Sequence, residues 1–316
     1  MLAGSHGHED GHFSCLHASC AGRTDGDYLS ACGYVAAQFD DEAAEASSSR
    51  LDELLPPATT AKFRLLTDDE LEALPPIQWL VRGVLPTQGI GAIFGPSGSG
   101  KSFLTLDLLA AIACGTEWFG LRVKTAPVLY IGLEGEAGIA QRVNARRNEH
   151  GPASRVRYLL TPLDIRTRSD RAALVEAVKA AGWAGGVLCI DTLNRAAPGI
   201  DENDSQHMGE VISAAKALQA ELGGLVLLVH HTGKDSTKGL RGHSSLLAAL
   251  DCAIEVSRDD DRRAWRVFKS KDGEDGKSHP FTLHIVELGE NSDGESITSC
   301  VVHPEQTISS AVRRAL

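Results

Sequence analysis

Five largely apolar runs, spaced between residues 89 and 231, constrain the fold of this chain more than any other feature of its sequence. Each run is too continuously apolar for a strand with one wet face, so each predicts a strand covered on both faces, as in a parallel sheet. The segments between the runs are long enough for helices, which gives the strand–helix–strand repeat of parallel sheets with right-handed crossovers. The runs are GIGAIF (89–94), APVLYIGL (126–133), RVRYLL (155–160), GGVLCID (185–191) and GGLVLLVHH (223–231).

The pattern predicts four helices between these strands and a different arrangement after Asp251. The predicted helices cover residues 101–114, 136–149, 169–182 and 203–222. After Asp251 the shorter runs CAIEVS, AWRVFKS and FTLHIVEL are separated by charged turns, which is typical of antiparallel hairpins at a sheet edge. The predicted fold class is therefore α/β, with a mainly parallel central sheet flanked by helices and with C-terminal antiparallel β-hairpins.

A glycine-rich stretch, GPSGSGKS, joins the first of these strands to the first helix. It matches the pattern G-x-x-x-x-G-K-[ST], and the strand before it and the helix after it are the context that this pattern requires. In such a P-loop the backbone N–H groups and the positive end of the helix surround a polyphosphate, and larger side chains would fill that space. We expect Lys101 to reach the outer phosphates and Ser102 to hold Mg²⁺. The residues predicted to bind the nucleotide are Gly95, Pro96, Ser97, Gly98, Ser99, Gly100, Lys101, Ser102 and Phe103.

Carboxylates follow two of the predicted strands, at the edge where ligands of such sheets bind. Asp191 ends the run VLCID, and we expect it to hold Mg²⁺ from the second side; an ordinary loop or cap aspartate is the plainer alternative. Glu134 follows the run VLYIGL, and it is predicted to accept a proton from the water that attacks the γ-phosphorus. Glu136 is the local alternative, although the helix dipole already explains a glutamate at a helix start.

Polar and basic residues at and after the last apolar run form a third group of candidates. His230 and His231 end this run, where they can sense a γ-phosphate and relay its presence to a loop; a capped strand end is the alternative. Arg241, in a glycine-flanked loop, can stabilise the negative charge of phosphoryl transfer from the same chain or from a neighbour. Lys269 and Lys271 are candidates for the same role, with solvated surface charge as the alternative.

Taken together and in this order, these segments resemble the RecA-like ATPases, and within them the RepA-type hexameric replicative helicases and related phage primase–helicase proteins. The likeness covers about residues 78–288 and rests on WLVRGVLPTQGIGAIFGPSGSGKS, YIGLEGE, VLCIDTL, VLLVHHTGKD and LRGHSSLLAALD. It implies ATP and Mg²⁺ as ligands, with Lys101 and Ser102 on phosphate and metal and with Asp191 on the metal.

The resemblance also implies three catalytic roles and an assembly. Glu134 is then the base, His231 the γ-phosphate sensor, and Arg241 the finger that reaches into a neighbour's site. Lys269 and Lys271 fall where related helicases carry further basic residues that act in trans. The implied assembly is a hexameric ring with ATP sites between subunits and with single-stranded DNA as its partner.

The charge balance bears on the nucleic-acid partner. The chain has 31 Lys and Arg against 42 Asp and Glu, a net charge of −11, so any nucleic-acid contact must be local. Related helicases bind single strands through basic central loops, whereas this chain shows little basic enrichment apart from Lys234 and Lys238. The sequence therefore supports ATP hydrolysis more directly than unwinding.

The histidine- and cysteine-rich start of the chain resembles the end of a zinc-binding segment seen ahead of such ATPase modules in phage primase–helicases. Cys15, His17 and Cys20 carry ligands that suit Zn²⁺, but a closed site needs four. Either a nearby histidine completes the set or the segment is a metal-free remnant. The candidate histidines are His6, His8 and His12.

We expect residues 1–50 to form this segment with an acidic linker, 51–77 a linker, 78–290 the ATPase domain and 291–316 a C-terminal tail. No apolar run reaches the ~18–20 residues of a membrane span. The seven cysteines are scattered, and three lie in apolar runs, which favours reduced thiols and a cytoplasmic location.

Three alternatives to a helicase stay open on the sequence. One is a RecA-type regulatory or recombination ATPase that does not unwind DNA. Another is a small-molecule P-loop kinase, which would need a mobile arginine-bearing lid and an acceptor pocket. The last is a zinc-dependent nucleic-acid-binding module, which would need four metal ligands and a basic face.

Overall fold

The computed structural model describes residues 64–232, 244–260 and 262–305. The chain divides into two units, residues 1–74 and 75–316. The predicted zinc ligands, Arg241 and the loop lysines Lys234 and Lys238 lie outside the described residues.

The described part of the first unit contains one short helix, α1 (Asp68–Glu72). It begins with a capping box, because the Glu70 N–H donates to the Thr67 hydroxyl and the Thr67 N–H donates to the Glu70 carboxylate. Two otherwise unpaired donors of the first turn are satisfied in this way.

The second unit alternates strands and helices up to residue 231 and then consists mainly of strands. Its helices are α2 (Lys101–Cys114), α3 (Glu136–His150), α4 (Arg168–Ala180), α5 (Leu193–Ala196), α6 (Ser205–Leu222) and α7 (Ser244–Ala249). Its strands are β1 (Trp79–Val81), β2 (Leu85–Pro86), β3 (Gly89–Gly95), β4 (Val128–Gly132), β5 (Val156–Leu159), β6 (Val187–Asp191), β7 (Leu225–His231), β8 (Cys252–Asp259), β9 (Arg262–Ser270), β10 (Ser278–Glu290) and β11 (Ser296–Pro304). Every helix and strand predicted between residues 89 and 231 is present.

Nine strands form one sheet in the order β11-β10-β9-β8-β3-β7-β6-β4-β5, while β1 and β2 pair separately. The six strands from β8 to β5 are parallel, and β9, β10 and β11 continue the sheet in antiparallel pairing. The register puts Gly95 opposite His231 and Gly132 opposite Asp191, so the carboxyl ends of β3, β7, β6 and β4 lie side by side. The predicted fold class is confirmed.

The C-terminal strands differ in detail from the sequence-based expectation. β8 belongs to the parallel part as well as to a hairpin, since it pairs with β3 on one side and with β9 on the other. β11 lies in the segment 291–316, for which a tail was expected, and pairs with β10. The sequence of β11, SITSCVVHP, has too weak an alternation to predict a strand by period alone.

Helices cover the parallel strands on both faces. Leu108 of α2 belongs to the core cluster on one face, and Val211 of α6 to the cluster on the other. The neighbouring residues Ile93 and Phe94 of β3 are both fully buried, one in each cluster. Each such side chain stabilises the fold by about 1.5–3 kcal/mol, which is why these strands are apolar throughout.

Within the described ranges, no helix is both long enough and apolar enough to cross a membrane.

Candidate active site

The loop between β3 and α2 has the backbone shape that its glycines permit. Gly98 and Gly100 have φ of +75° and +94°, a left-handed region in which other residues are strained. A Cβ on Gly95 would overlap the Val256 carbonyl oxygen of β8, so this position is small because another strand lies against it. Gly98 and Gly100 thus permit the shape of the loop, and Gly95 permits β8 to pack directly behind it.

Lys101 opens helix α2 with its side chain folded back under this loop. It is 6% exposed, and its Nζ donates to the carbonyl oxygens of Gly95 and Pro96 at 2.9 and 2.8 Å. Burial lowers the pKa of Lys101 to about 8, against the opposing effect of the negative charges of Asp191 and Glu134. The amino group is therefore a buried cation at the base of the loop.

The other predicted loop residues lie around this cation in different settings. Ser97 is exposed and Ser99 is fully buried, with no hydrogen-bond partner for its hydroxyl among the described residues. Ser102 hydrogen-bonds the Asp191 carboxylate. The Phe103 ring is half-buried, with the Arg142 guanidinium 5.1 Å from its centroid.

Asp191 ends β6 with its carboxylate buried beside the loop. It is 3% exposed, and its Oδ2 accepts a hydrogen bond of 2.7 Å from the Tyr130 hydroxyl on the neighbouring strand β4. Burial raises the pKa of Asp191, although hydrogen bonds from Tyr130 and Ser102 oppose the shift. Sequence reasoning missed Tyr130, whose only signal is a hydroxyl-bearing ring within the apolar run VLYIG.

Glu134 lies two residues beyond β4 and faces the end of β6. Its Oε2 accepts a hydrogen bond of 3.3 Å from the Thr192 hydroxyl and lies 4.0 Å from His231 Nε2. Half of its side chain is exposed, so water can reach the carboxylate. Glu136 is the first residue of α3 and is exposed, as a helix-start glutamate would be.

The two histidines at the end of β7 occupy opposite environments. His230 is 1% exposed, whereas the His231 side chain is 31% exposed and lies beside Glu134. Burial and the Lys101 charge lower the pKa of His231, while Glu134 and Asp191 raise it. Of the pair, His231 is the one in contact with the candidate site.

The structure brings Lys101, Ser102, Asp191, Glu134 and His231 together at one edge of the sheet. It gives Lys269 and Lys271 partners within their own chain instead. Lys269 Nζ donates to the carbonyl oxygens of Leu247 and Ala248 at 2.7 and 3.1 Å, at the end of α7. Lys271 Nζ lies 2.6 Å from Asp251 Oδ1.

A family model described as AAA domain matches residues 56–237, more than half of the chain. The chain belongs to the AAA domain family. The matched region contains the P-loop, both candidate carboxylates and the two histidines, and it ends before β8. Family and loop together identify the chain as a P-loop ATPase.

Solved structures similar to this AAA domain include three proteins at low identity. The ATPase domain of another protein is 13% identical, with 78% of this chain and 96% of that chain covered and a TM-score of 0.49. The RadB recombinase is 13% identical, with coverages of 63% and 88% and a TM-score of 0.44. A KaiC-like protein, PH0186, from Pyrococcus horikoshii OT3 is 15% identical, with coverages of 72% and 100% and a TM-score of 0.47.

The residues of this AAA domain fit a nucleotide polyphosphate and Mg²⁺. The loop supplies a buried ammonium, and the would-be Cβ of Gly98 meets nothing closer than 3.8 Å, so its surface is open to a ligand. Ser102 and Asp191 offer hydroxyl and carboxylate oxygens, the donors that Mg²⁺ prefers. Within the described residues no group of three His, Cys, Asp or Glu could hold a metal ion. Mg²⁺ at nucleotide sites takes only one or two protein ligands, with phosphate and water oxygens completing its shell.

A groove of about 550 Å³ lies next to this site of the AAA domain. It runs along the carboxyl edge of the sheet, from Leu133, the neighbour of Glu134, to Arg195 at the end of α5. The Arg195 side chain is exposed and makes no hydrogen bond or ion pair with any described residue. Asp164, which also lines the groove, is already paired with Arg166 at 2.7 Å.

Proposed function

We propose that this chain is a Mg²⁺-dependent ATPase motor of the replicative-helicase type, working in phage or plasmid replication. The observation that carries the proposal is the convergence of a buried lysine, a buried carboxylate and a half-exposed carboxylate at the carboxyl ends of neighbouring parallel strands. Ligands of such sheets bind at this edge, and these are the groups that phosphoryl transfer requires.

In this proposal each side chain has a role set by its surroundings. Lys101, held at the base of the loop, binds the outer phosphates in exchange for the carbonyl oxygens of Gly95 and Pro96. Ser102 and Asp191 would hold Mg²⁺, which when bound balances the charge that develops on the phosphate oxygens. Burial of Lys101 and Asp191 removes competing water and strengthens these interactions.

Glu134 is proposed as the base that takes a proton from the attacking water. Its half-exposed carboxylate is accessible to water, and the hydrogen bond from Thr192 fixes one oxygen. His231, 4.0 Å from the same oxygen, is proposed to sense the γ-phosphate, because a change at either group alters the charge felt by the other.

The oligomer is part of the proposal. A RecA-like ATPase with Arg241 acting in trans needs a ring, which we take to be hexameric, with each site completed by a neighbour. Arg241→Ala subunits should then reduce the activity of mixed rings by more than their share. A strictly proportional loss on mixing would count against a finger in trans.

Single-stranded DNA is the proposed track, and the groove beside Glu134 is a candidate place for contact. Its rim carries the uncommitted guanidinium of Arg195, which suits a phosphate. Because the net charge of the chain is −11, such local cations are the available means of binding DNA.

The decisive measurement is the ATPase rate per subunit as a function of protein concentration, with and without single-stranded DNA. A rate that rises with concentration supports sites between subunits, and stimulation by DNA supports a motor. Concentration dependence without any response to DNA would favour the alternative of a regulatory or recombination ATPase. A rate that needs a small-molecule acceptor would favour a P-loop kinase.

A further inference from the structure

The hairpin formed by β8 and β9 makes the outer wall of the P-loop. The backbone of Val256 lies directly behind Gly95, and the Arg263 side chain lies beside Gly100, with its Cδ 3.3 Å from the position of a would-be Cβ. Arg258 Nη1 donates to the Gly98 carbonyl oxygen at 3.3 Å. This hairpin is 160 residues away in sequence and beyond the region that the family model matches.

Arg258 brings a positive charge to the loop that no described carboxylate neutralises. Its guanidinium donates to two backbone carbonyl oxygens, those of Gly98 at 3.3 Å and Asp260 at 2.6 Å, and it makes no ion pair with a described residue. The side chain is exposed, so the charge is available to a ligand. The nearby Asp259 and Asp260 are also exposed, at the tip of the hairpin.

The strand register places a second cation beside the first. Arg258 on β8 is directly opposite Arg263 on β9, so two cations face the same side of the sheet. Like charges directly opposite each other across a strand pair are destabilising. Both cations lie against a loop that is shaped for an anion. A polyphosphate bound there carries more negative charge than Lys101 alone can balance, so the two arginines can help to balance it.

We propose that Arg258 is a nucleotide-binding residue supplied in cis, whose guanidinium contacts the polyphosphate of a nucleoside di- or triphosphate while it holds the Gly98 carbonyl. The inference rests on the proposed nucleotide site. Its role differs from that proposed for the arginine finger Arg241, because Arg258 acts within its own subunit and contributes to nucleotide binding. The hairpin thereby completes a site that the P-loop begins.

The test is a fluorescence titration of the full chain with mant-ATP and mant-ADP in the presence of Mg²⁺. We expect Arg258→Gln to raise the Kd for both nucleotides by about tenfold, because a charge-assisted contact is lost. Arg258→Lys, which keeps the charge but not the planar fork, should raise it less. Added salt should weaken binding to the wild type more steeply than binding to Arg258→Gln.

Arg262→Gln is the matched control, since Arg262 is exposed at the tip of the same hairpin, opposite Asp259, and its side chain makes no hydrogen bond or ion pair with a described residue. Its Kd should equal that of the wild type. An unchanged Kd in Arg258→Gln overturns the proposal, as does a lowered melting temperature without a change in Kd. If Arg258→Gln does not fold, an unchanged Kd in Arg258→Lys overturns it instead.

A Lys101→Ala arm separates this inference from the function on which it rests. If the wild type binds nucleotide and Lys101→Ala does not, the proposed P-loop site is supported, and the Kd of Arg258→Gln then tests the role of Arg258 by itself. If the wild type binds neither nucleotide, or if Lys101→Ala binds as well as the wild type, the proposed nucleotide site fails, and the role of Arg258 fails with it.

Discussion

Some charged side chains are buried in the parallel half of the sheet, and others are exposed as ion pairs in the antiparallel half. In the parallel half, Lys101 and Asp191 are 6% and 3% exposed; the first donates to carbonyl oxygens and the second accepts from a neutral tyrosine hydroxyl. In the antiparallel half, Arg266 lies 2.5 Å from Glu255, and Lys271 lies 2.6 Å from Asp251, with both cations about half exposed.

The buried charges of the parallel half lower the stability of the fold, whereas the exposed ion pairs of the antiparallel half hardly change it. A buried charge without a directly bonded counter-charge is unfavourable, whereas an exposed ion pair contributes ~0–1 kcal/mol. Strongly perturbed groups gather at functional sites because function requires them there. The comparison therefore predicts large effects on activity from the buried charges of the parallel half and small ones from the exposed ion pairs of the antiparallel half.

The largest expected effect comes from removing the buried cation. Lys101→Ala should lower ATP turnover by on the order of 10³-fold, because the phosphates lose their only buried ammonium in the described part of the chain. The fold should be retained, since the variant no longer buries a charge. Steady-state turnover and circular dichroism check this, with the exposed Lys179→Ala on α4 as control. Normal turnover in Lys101→Ala would remove the phosphate-binding role.

Titration of Lys101 gives the second prediction. Its pKa falls from 10.5 to about 8 on folding, so the folded state binds fewer protons than the unfolded state between these values. The destabilisation is therefore fully present below pH 8 and is relieved as the pH rises toward 10.5. Between pH 7 and pH 10 the free energy of unfolding of the wild type should increase relative to Lys101→Met by up to about 3 kcal/mol.

Urea unfolding of the two proteins across this pH range measures the difference. A constant difference between wild type and Lys101→Met would mean that Lys101 is not desolvated, and the contrast between the halves would then lose its main support.

A smaller effect is expected from Tyr130, which orients the buried carboxylate. Tyr130→Phe keeps the ring but removes the 2.7 Å hydrogen bond to Asp191, which should cost about 1–2 kcal/mol and raise the Mg²⁺ concentration for half-maximal activity several-fold. Tyr158→Phe is the control, since Tyr158 is 41% exposed on β5, next to Tyr130. Equal Mg²⁺ dependence in the two variants would show that Tyr130 only fills space.

The smallest effect is expected in the antiparallel half. Lys271→Ala should change the free energy of unfolding by less than about 1 kcal/mol and leave ATP turnover unchanged, because it breaks a half-exposed ion pair with Asp251. Mixing it with wild type should give a proportional response. If Lys271→Ala subunits instead suppress wild-type activity, the antiparallel half also acts in trans, and the contrast between the halves is too simple.

Much of the fold followed from local pattern, because strands buried on both faces must be apolar throughout. The segments 89–94 and 101–114 predicted β3 and α2 almost residue by residue. β11 could not be predicted in this way, because it has a weak alternation and is held mainly by its pairing with β10. A strand whose identity depends on its partner is decided by contacts that are distant in sequence.

The sequence by itself determined that a glycine loop, a lysine and strand-end carboxylates would meet at one edge of a parallel sheet, because parallel strands bring their carboxyl ends together. Only the tertiary structure decided which histidine faces that edge, that Tyr130 holds Asp191, and that Arg258 lies over the loop. Those contacts join residues far apart in the chain, and their geometry depends on strand order and register, which no local pattern encodes.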